Sequence, residues 1–204
     1  MAAFYAVIEL SPMKTASSSW SSCAALALAF ALCLVLVGCG PKWVVVKQAN
    51  PNPMTATSSY RVDKAVFDPN FHVGDKTEQQ WMADKKPETK DNWDGDKVAM
   101  SEKFTNGFVS EREKLQLAAT NGAGIFSIRA RFVQYEPGFY VGVASAPTRL
   151  EADVDFLDGN GAVLDTIRIH AQYGGFSPGE GARACAEQLG AISAKYLKKR
   201  VGLD

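Results

Sequence analysis

Alternating apolar and polar residues predict three β-strands in the last third of the chain. Apolar residues occupy every second position in 126–132 and in 150–156, and a similar alternation returns in 162–171. A period of two is that of a strand with one face in the core and the other in solvent. The turn at 158–161 contains an Asn-Gly pair, which suits φ > 0, and it predicts a hairpin between the second and third of these strands.

The polar positions of the same strands carry opposite charges. Neighbouring side chains on one face of an antiparallel sheet stabilise it by a few tenths of a kcal/mol per pair. The arginines are therefore expected to lie across the sheet from the acidic residues. The residues concerned are Arg129, Arg131 and Arg168 on the basic side, and Glu151, Asp153 and Asp155 on the acidic side.

Apolar residues at helical spacing predict two longer helices. From about Asp96 the chain is expected to be helical, because Met100, Phe104, Phe108 and Leu115 share one face; Gly107 leaves open one bent helix or two short ones. Gly122 is a natural end for this segment. The second helix is expected over 179–200, with one apolar stripe formed by Cys185, Leu189, Ile192 and Tyr196.

The segment before these helices gives weaker patterns. Residues 43–47 are either a first strand or the end of a tether, 60–67 is expected to be a strand, and Asp75 followed by Glu78 resembles a capping box that begins a short helix through Lys86. The expected fold is α+β, with an antiparallel sheet of about four strands packed on one face by two or three helices. Residues 39–59 are expected to form a tether, and residues 60–204 a single domain.

The first 38 residues are expected to be a leader and not part of the fold. Residues 24–37 form an apolar run of 14 residues, which is the length of a signal-peptide core and short of the roughly 20 that span a membrane. Lys14 is the cationic start of this leader. Residues 1–12 fit a signal peptide poorly, so Met13 is the expected initiator instead of Met1.

Composition excludes several classes of protein. Lys+Arg and Asp+Glu are both 22, so the basic excess of a dedicated nucleic-acid binder is absent. Only His72 and His170 occur, which excludes a His-rich metal site. Without the leader, the cysteines are Cys39 and Cys185. Cys185 lies within the apolar stripe of the last helix, where a small inert core residue is favoured over a reactive thiol.

A glycine-rich loop before the last helix matches two catalytic or cofactor motifs in part. Residues 175–179 fit G-x-S-x-G, but such hydrolases place an Asp and then a His after the serine, whereas no His follows Ser177 and the only later Asp is Asp204. Residues 179–184 fit G-x-G-x-x-A, but no second parallel strand follows the helix, as a dinucleotide fold requires. No catalytic residue and no cofactor is predicted. The candidate ligand loop is Gly175, Ser177, Gly179 and Gly181, where helix N–H groups are available to an anion.

Three other clusters have an ordinary structural interpretation as well as a functional one. Asp153, Asp155, Asp158 and Asn160 lack the spacing of a calcium loop, and Asp165 is at position thirteen where a Glu at position twelve is needed, so solvated carboxylates are favoured and no metal site is predicted. The cations in 195–200 suit the negative end of a helix dipole, with lipid headgroups or an envelope polymer as the alternative. Trp81 and Trp93 are either buried anchors or a partner surface.

The end of the leader resembles a bacterial lipobox. Residues 36–39 read Leu-Val-Gly-Cys, and the resemblance implies cleavage between Gly38 and Cys39 and lipidation of Cys39. Gly40 resembles the second residue of lipoproteins sorted to the outer membrane. The stretch 126–200 is similar to a family of uncharacterised bacterial lipoproteins, a domain of unknown function. It shares Pro137-Gly138-Phe139, Gly142, 150–156, Asp158-Gly159, 161–164 and the Ala-rich last helix.

These observations together predict a non-enzymatic lipoprotein of the cell envelope. It is expected to face the periplasm from the outer membrane, held by its N-terminal lipid, and to bind an envelope protein as an accessory subunit. Binding of a small ligand or an envelope polymer is the alternative function. A serine hydrolase at Ser177 ranks third, because the rest of its catalytic machinery has no counterpart in the sequence.

Overall fold

The computed structural model describes residues 42–114, 126–142, 144–175 and 177–203, and for Tyr140 and Ala144 only the backbone. The leader and the lipobox residues Gly38 and Cys39 lie outside the described residues. Leu115, which was predicted on the apolar face of the middle helix, and Gly122, which was predicted to end it, also lie outside the described residues.

Nine strands and three helices make up the described chain. The strands are β1 (Trp43–Lys47), β2 (Tyr60–Val62), β3 (Val66–Val73), β4 (Lys76–Thr77), β5 (Phe126–Glu136), β6 (Phe139–Val141), β7 (Ala144–Ala146), β8 (Thr148–Leu157) and β9 (Val163–Tyr173). The helices are α1 (Glu78–Ala83), α2 (Pro87–Lys114) and α3 (Pro178–Arg200).

Seven strands form one mostly antiparallel sheet in the order β1-β9-β8-β5-β3-β4, with β2 also paired to β5. The pairs β1–β9, β8–β9, β5–β8 and β3–β4 are antiparallel, whereas β2 and β3 are parallel to β5. The mixed α/β fold with a mostly antiparallel sheet is thereby confirmed. β6 and β7 form a separate two-stranded hairpin.

The predicted number of about four strands is wrong, because short strands in the first half of the described chain join the sheet. Residues 60–67 are not one strand. β2 ends at Val62, the amide of Ala65 turns to bond the hydroxyl of Ser101, and β3 begins at Val66. Residues 43–47 are the edge strand β1 and not a free tether. In both segments, the bounds of the strands depend on partners that are distant in sequence, β9 for β1 and β5 for β2 and β3.

The helices differ from their predicted bounds at their N-terminal ends. The capping box of α1 is formed by Thr77 and Gln80, whose side chains bond each other's backbone N–H, and not by Asp75 and Glu78. Asp75 lies in the tight turn between β3 and β4. α2 is one helix that begins at Pro87, nine residues before the predicted start, because proline suits the first turn.

The core lies between one face of the sheet and the pair α2 and α3. Alternate residues of β5, β8 and β9 point into it, including Phe132, Val154 and Ile167, each with no exposed surface. The predicted stripe Cys185, Leu189, Ile192 and Tyr196 on α3 is buried against this face. Among the described residues, none of the helices has the length and apolarity needed to cross a bilayer.

The two long helices run side by side at very short range. A Cβ atom on Gly190 of α3 would lie 2.1 Å from the carbonyl oxygen of Phe104 in α2. A Cβ on Gly107 of α2 would lie 2.0 Å from the carbonyl oxygen of Glu187 in α3. Each helix thus has a glycine at the point where the backbone of the other helix leaves no room for a Cβ atom.

Candidate functional site: the open face of the sheet

The face of the sheet turned away from the core is a polar surface built by regular structure. It carries the outward residues of β5, β8 and β9, which the strand alternation places on the side opposite the buried Ile128, Val154 and Ile169. We call this surface the open face. Its residues stand on paired strands in the middle of the sheet, so their positions are set by the hydrogen-bond ladder and not by loops.

An ion-pair network centred on Asp153 organises the open face. The guanidinium of Arg168 donates to both carboxylate oxygens of Asp153, at 2.8 and 2.9 Å, and Arg131 donates to the same carboxylate at 3.2 Å. Asp153 is 6% exposed. The hydrogen bonds from Arg168, and then those from Arg131, lower the pKa of Asp153 although burial acts to raise it.

The predicted facing of arginines and acidic residues is confirmed in the strand register and refined in its partners. Arg131 and Arg168 both lie opposite Asp153, and Arg168 also approaches Glu151 at 3.3 Å. Arg129 lies opposite Asp155 but pairs with Asp63 beside β2, at 3.4 Å. The carboxylate of Asp155 instead accepts from the hydroxyl of Thr166.

A depression of about 350 Å³ lies on the open face where β5 ends and β8 begins. Glu136 and Arg149, which form an ion pair at 3.5 Å, lie on its wall. The remaining residues that line it are Gln134, Leu150, Glu151, His170, Ala171 and Gln172. The depression therefore offers both hydrogen-bond donors and acceptors. In the part of the chain that the structure describes, no group of three His, Cys, Asp or Glu residues is arranged to hold a metal ion.

The glycines of the candidate ligand loop lie where other elements come close. A Cβ on Gly181 would lie 2.3 Å from Oγ1 of Thr148, and a Cβ on Gly179 would lie 2.9 Å from a carboxylate oxygen of Asp96. Ser177 is the N-cap residue of α3, but its side chain makes no capping bond. Close packing of α3 on β8 and α2 accounts for Gly179 and Gly181. A ligand bound by Gly175 and its neighbours stays a prediction.

The buried thiol of Cys185 has the environment of an inert core residue. It donates to the carbonyl oxygen of Thr148 at 3.5 Å and has no exposed surface. Burial raises the pKa of Cys185 to about 12, so the thiol stays protonated at neutral pH. Only the thiolate is a nucleophile, and this agrees with the structural role predicted for the residue.

The two tryptophans of the middle segment pack against each other, with Trp93 buried and Trp81 half-buried. Trp93 is 5% exposed, and its indole N–H donates to Glu78 at 2.7 Å. Its ring packs edge-on against Trp81, with centroids 5.3 Å apart, and stacks on Tyr135 at 5.5 Å. Of the two interpretations left open by the sequence, the structure supports buried anchors, because these rings join α1 and α2 to the end of β5.

The polar cluster that sequence analysis missed joins the start of the domain to its last helix. The carboxylate of Asp165 is fully buried and accepts from the Tyr196 hydroxyl at 2.6 Å, from Nε of Arg200 at 2.7 Å and from the amide of Ala49 at 2.9 Å. Asn52 also donates to the carbonyl oxygen of Arg200. We call Asp165, Tyr196, Arg200 and Ala49 the terminal clamp.

The terminal clamp and Asp153 correct two predictions. Asp153 and Asp165 are not solvated carboxylates, because each is enclosed by its arginine partners. Arg200 is not an exposed cation that only complements the helix dipole, since its side chain is 14% exposed and forms an ion pair with Asp165. One signal was present in the sequence: Asp165 shares the inward parity of Ile167 and Ile169, and a charge at a core position requires a partner. Asp158 does cap its turn, as expected for a surface carboxylate.

Replacing Asp153 by asparagine is expected to remove acid-dependent stability. Because the folded-state pKa of Asp153 is lowered, its carboxylate stabilises the fold above the ordinary aspartate pKa of about 4, and this contribution is lost as pH falls toward the lowered value. Asp153→Asn should lose about 1–2 kcal/mol at pH 7 and show a flatter loss of stability below pH 5. Urea unfolding at pH 3–7 measures both.

Asp91 supplies a matched control for this change. It is exposed on α2, so Asp91→Asn is expected to stay within about 0.5 kcal/mol of the unchanged protein at pH 7. An Asp153→Asn variant that unfolds at the same urea concentration as the Asp91→Asn variant at every pH would contradict the role given to the network.

Comparison with known proteins assigns the chain to no family. No family model matches it, and no curated protein matches it. Among solved structures it is similar to the PelC dodecamer from Paraburkholderia phytofirmans, at 10% identity and a TM-score of 0.36 over 74% of this chain and 96% of that one. A variant PelC dodecamer from the same organism gives 9% identity and a TM-score of 0.34, with 74% and 95% covered. Similarity this low says nothing about function.

Proposed function

We propose that this protein is a lipid-anchored, non-enzymatic protein of the outer membrane whose periplasmic domain binds another envelope protein through the open face. The lipobox supports the anchor, since residues 36–39 place Cys39 at the end of a signal-peptide core. The open face supports the binding role. The observation that carries the proposal is the Asp153 network, which holds charged side chains in fixed positions on an accessible sheet.

The open face has the physical properties of a recognition surface. Arg131 and Arg168 keep 40% and 51% of their side chains exposed while one end of each is held by Asp153. A side chain that is already ordered loses little conformational entropy when a partner binds, and arginine is enriched in protein interfaces. Fixed charges of both signs also favour a complementary partner over other proteins.

A small ligand or an envelope polymer is the second candidate for the same surface. The depression beside His170 favours it, because a concave site of about 350 Å³ with donors and acceptors is within the size range of small-molecule sites. The two candidates differ in what they bury. A protein partner covers the network around Asp153 as well as the depression, whereas a small ligand contacts the depression alone.

Photo-crosslinking in the living cell tests the protein-partner proposal. A photoreactive residue at Gln172, which is exposed and lines the depression, is expected to capture one protein reproducibly after irradiation and purification from membranes. The same residue at Gln188, which is exposed on α3 at the helical side, is the matched control and is expected to capture much less of it. Mass spectrometry identifies the captured protein.

The outcomes separate the two candidates. Equal capture from both sites, or capture only from Gln188, would contradict a partner on the open face. An absence of captured protein at Gln172, together with saturable binding of a purified envelope polymer that Gln172→Ala weakens, would favour the ligand-binding function. A crosslink from Gln172 that disappears in an Asp153→Asn variant would assign recognition to the network itself.

A further inference from the structure

The β6–β7 hairpin exposes large apolar side chains to solvent. Phe139 is 51% exposed and Val141 is 64% exposed, although both are large hydrophobic residues. The sequence from Pro137 to Pro147 contains no charged residue. The hairpin pairs only within itself and is separate from the seven-stranded sheet, so neither the core nor the sheet accounts for its composition.

The hairpin lies at the end of the sheet toward which the first residue of β1 points. It connects the end of β5 to the start of β8, where Thr148 is opposite Tyr173 at the end of β9. β1 is antiparallel to β9, with Trp43 opposite Ile169. Because an antiparallel partner runs in the reverse direction, β1 begins on the side of the Tyr173 end of β9, which is also the side of the hairpin.

Covalent reach limits how far Cys39 can lie from Trp43. Cys39 precedes Trp43 by four residues, which span at most about 14 Å even when fully extended. Ile169, opposite Trp43, lies six residue steps from Val163 at the other end of β9, which is about 20 Å. The backbone of Cys39 therefore cannot reach the end of β9 where the turn at Asn160 lies, whereas Tyr173 at the hairpin end is only four residue steps from Ile169.

We propose that the hairpin inserts Phe139 and Val141 into the surface of the same bilayer that holds the lipid of Cys39. This inference rests on the anchoring in the proposed function. Apolar side chains give the domain a second membrane contact besides the acyl chains, and two contacts restrict rotation about a flexible tether. With the hairpin end against the lipid, the strands rise from the membrane and the open face points sideways, where a membrane-bound partner meets it.

An environment-sensitive fluorophore on the full-length acylated protein tests this orientation. A nitrobenzoxadiazole label is attached to Val141→Cys, with Asn160→Cys at the opposite end of the sheet as the matched control. Cys185 is fully buried and stays unlabelled, and the lipid occupies the sulfur of Cys39. In vesicles of phosphatidylethanolamine and phosphatidylglycerol, the label at 141 is expected to shift to the blue and lose more than half its emission to doxyl-labelled lipid, and the label at 160 is not.

The result is combined with flotation of the vesicles and the mass of the Cys39 peptide. If the protein floats with an acylated Cys39 and the label at 141 is no more quenched than that at 160, the hairpin proposal is overturned while the anchor stands. If Cys39 carries no acyl chain and the protein does not float, the anchor and the hairpin proposal are both overturned. Labelling at Phe139→Cys repeats the test if Val141→Cys does not fold.

Discussion

Replacing Gly190 by alanine is expected to destabilise the fold by about 3 kcal/mol. A Cβ at this position would lie 2.1 Å from the carbonyl oxygen of Phe104 and 2.7 Å from the amide nitrogen of Phe108. Both are backbone atoms of α2, so no side chain is free to move aside and the two helices must separate. Separation would weaken the packing of Phe104 and Phe108, which have no exposed surface. Urea unfolding with an unchanged slope measures the loss.

Gly95 is the control for this prediction. It lies in α2 with nothing within 4 Å of a Cβ at that position, so Gly95→Ala is expected to stabilise the protein by about 0.5–1 kcal/mol through helix propensity. A Gly190→Ala variant that loses less than about 1 kcal/mol would show that α2 and α3 lie farther apart than the structure places them.

Replacing Arg200 by methionine is expected to cost about 3–5 kcal/mol, because it leaves Asp165 buried without its charge partner. Asp165 is fully buried, and the amide of Ala49 and the Tyr196 hydroxyl would be the remaining donors of the terminal clamp. The neighbouring Lys199 is exposed, so Lys199→Met is the matched control and is expected to change stability by less than about 0.5 kcal/mol.

A double-mutant cycle separates the ion pair from simple packing. If Asp165 and Arg200 are coupled, the variant Asp165→Asn with Arg200→Met should be more stable than the sum of the two single changes predicts, by about 1–2 kcal/mol. Hydrogen exchange at the Ala49 amide gives a local measurement, since Arg200→Met should speed its exchange. Strict additivity, with unchanged exchange at Ala49, would contradict the clamp.

The Asp153 network shows that strand alternation predicts the face on which a residue lies but not how deeply it is buried. Alternation alone placed Arg131, Asp153 and Arg168 on one face, and the register puts both arginines opposite that carboxylate. It did not predict that Asp153 is buried. Burial depends on how closely two arginine side chains close over one carboxylate, and that distance is a property of three strands together and not of any one of them.

The strands in the first half of the described chain could be predicted only in part from the sequence. β2 has three residues, and the parallel pairing of β2 and β3 with β5 joins residues about 65 positions apart, such as Tyr60 with Phe126. A strand of three residues carries too little alternation to be recognised, and no local turn announces a parallel partner. The candidate ligand loop could not be interpreted from the sequence either. Gly181 is part of a segment that resembles a cofactor motif, but in the fold it leaves room for the side chain of Thr148.

Elements with a local cause can be predicted from the amino-acid sequence alone. The Asn160-Gly161 turn, the strands on either side of it and the apolar stripe of α3 follow from side-chain periodicity and turn chemistry over a few residues. Long-range packing sets the place of β1, the contact of Gly107 and Gly190 with the facing helix, and the pairing of Asp165 with Arg200. Each of these depends on which distant surfaces exclude water together, and a local pattern carries no information about that.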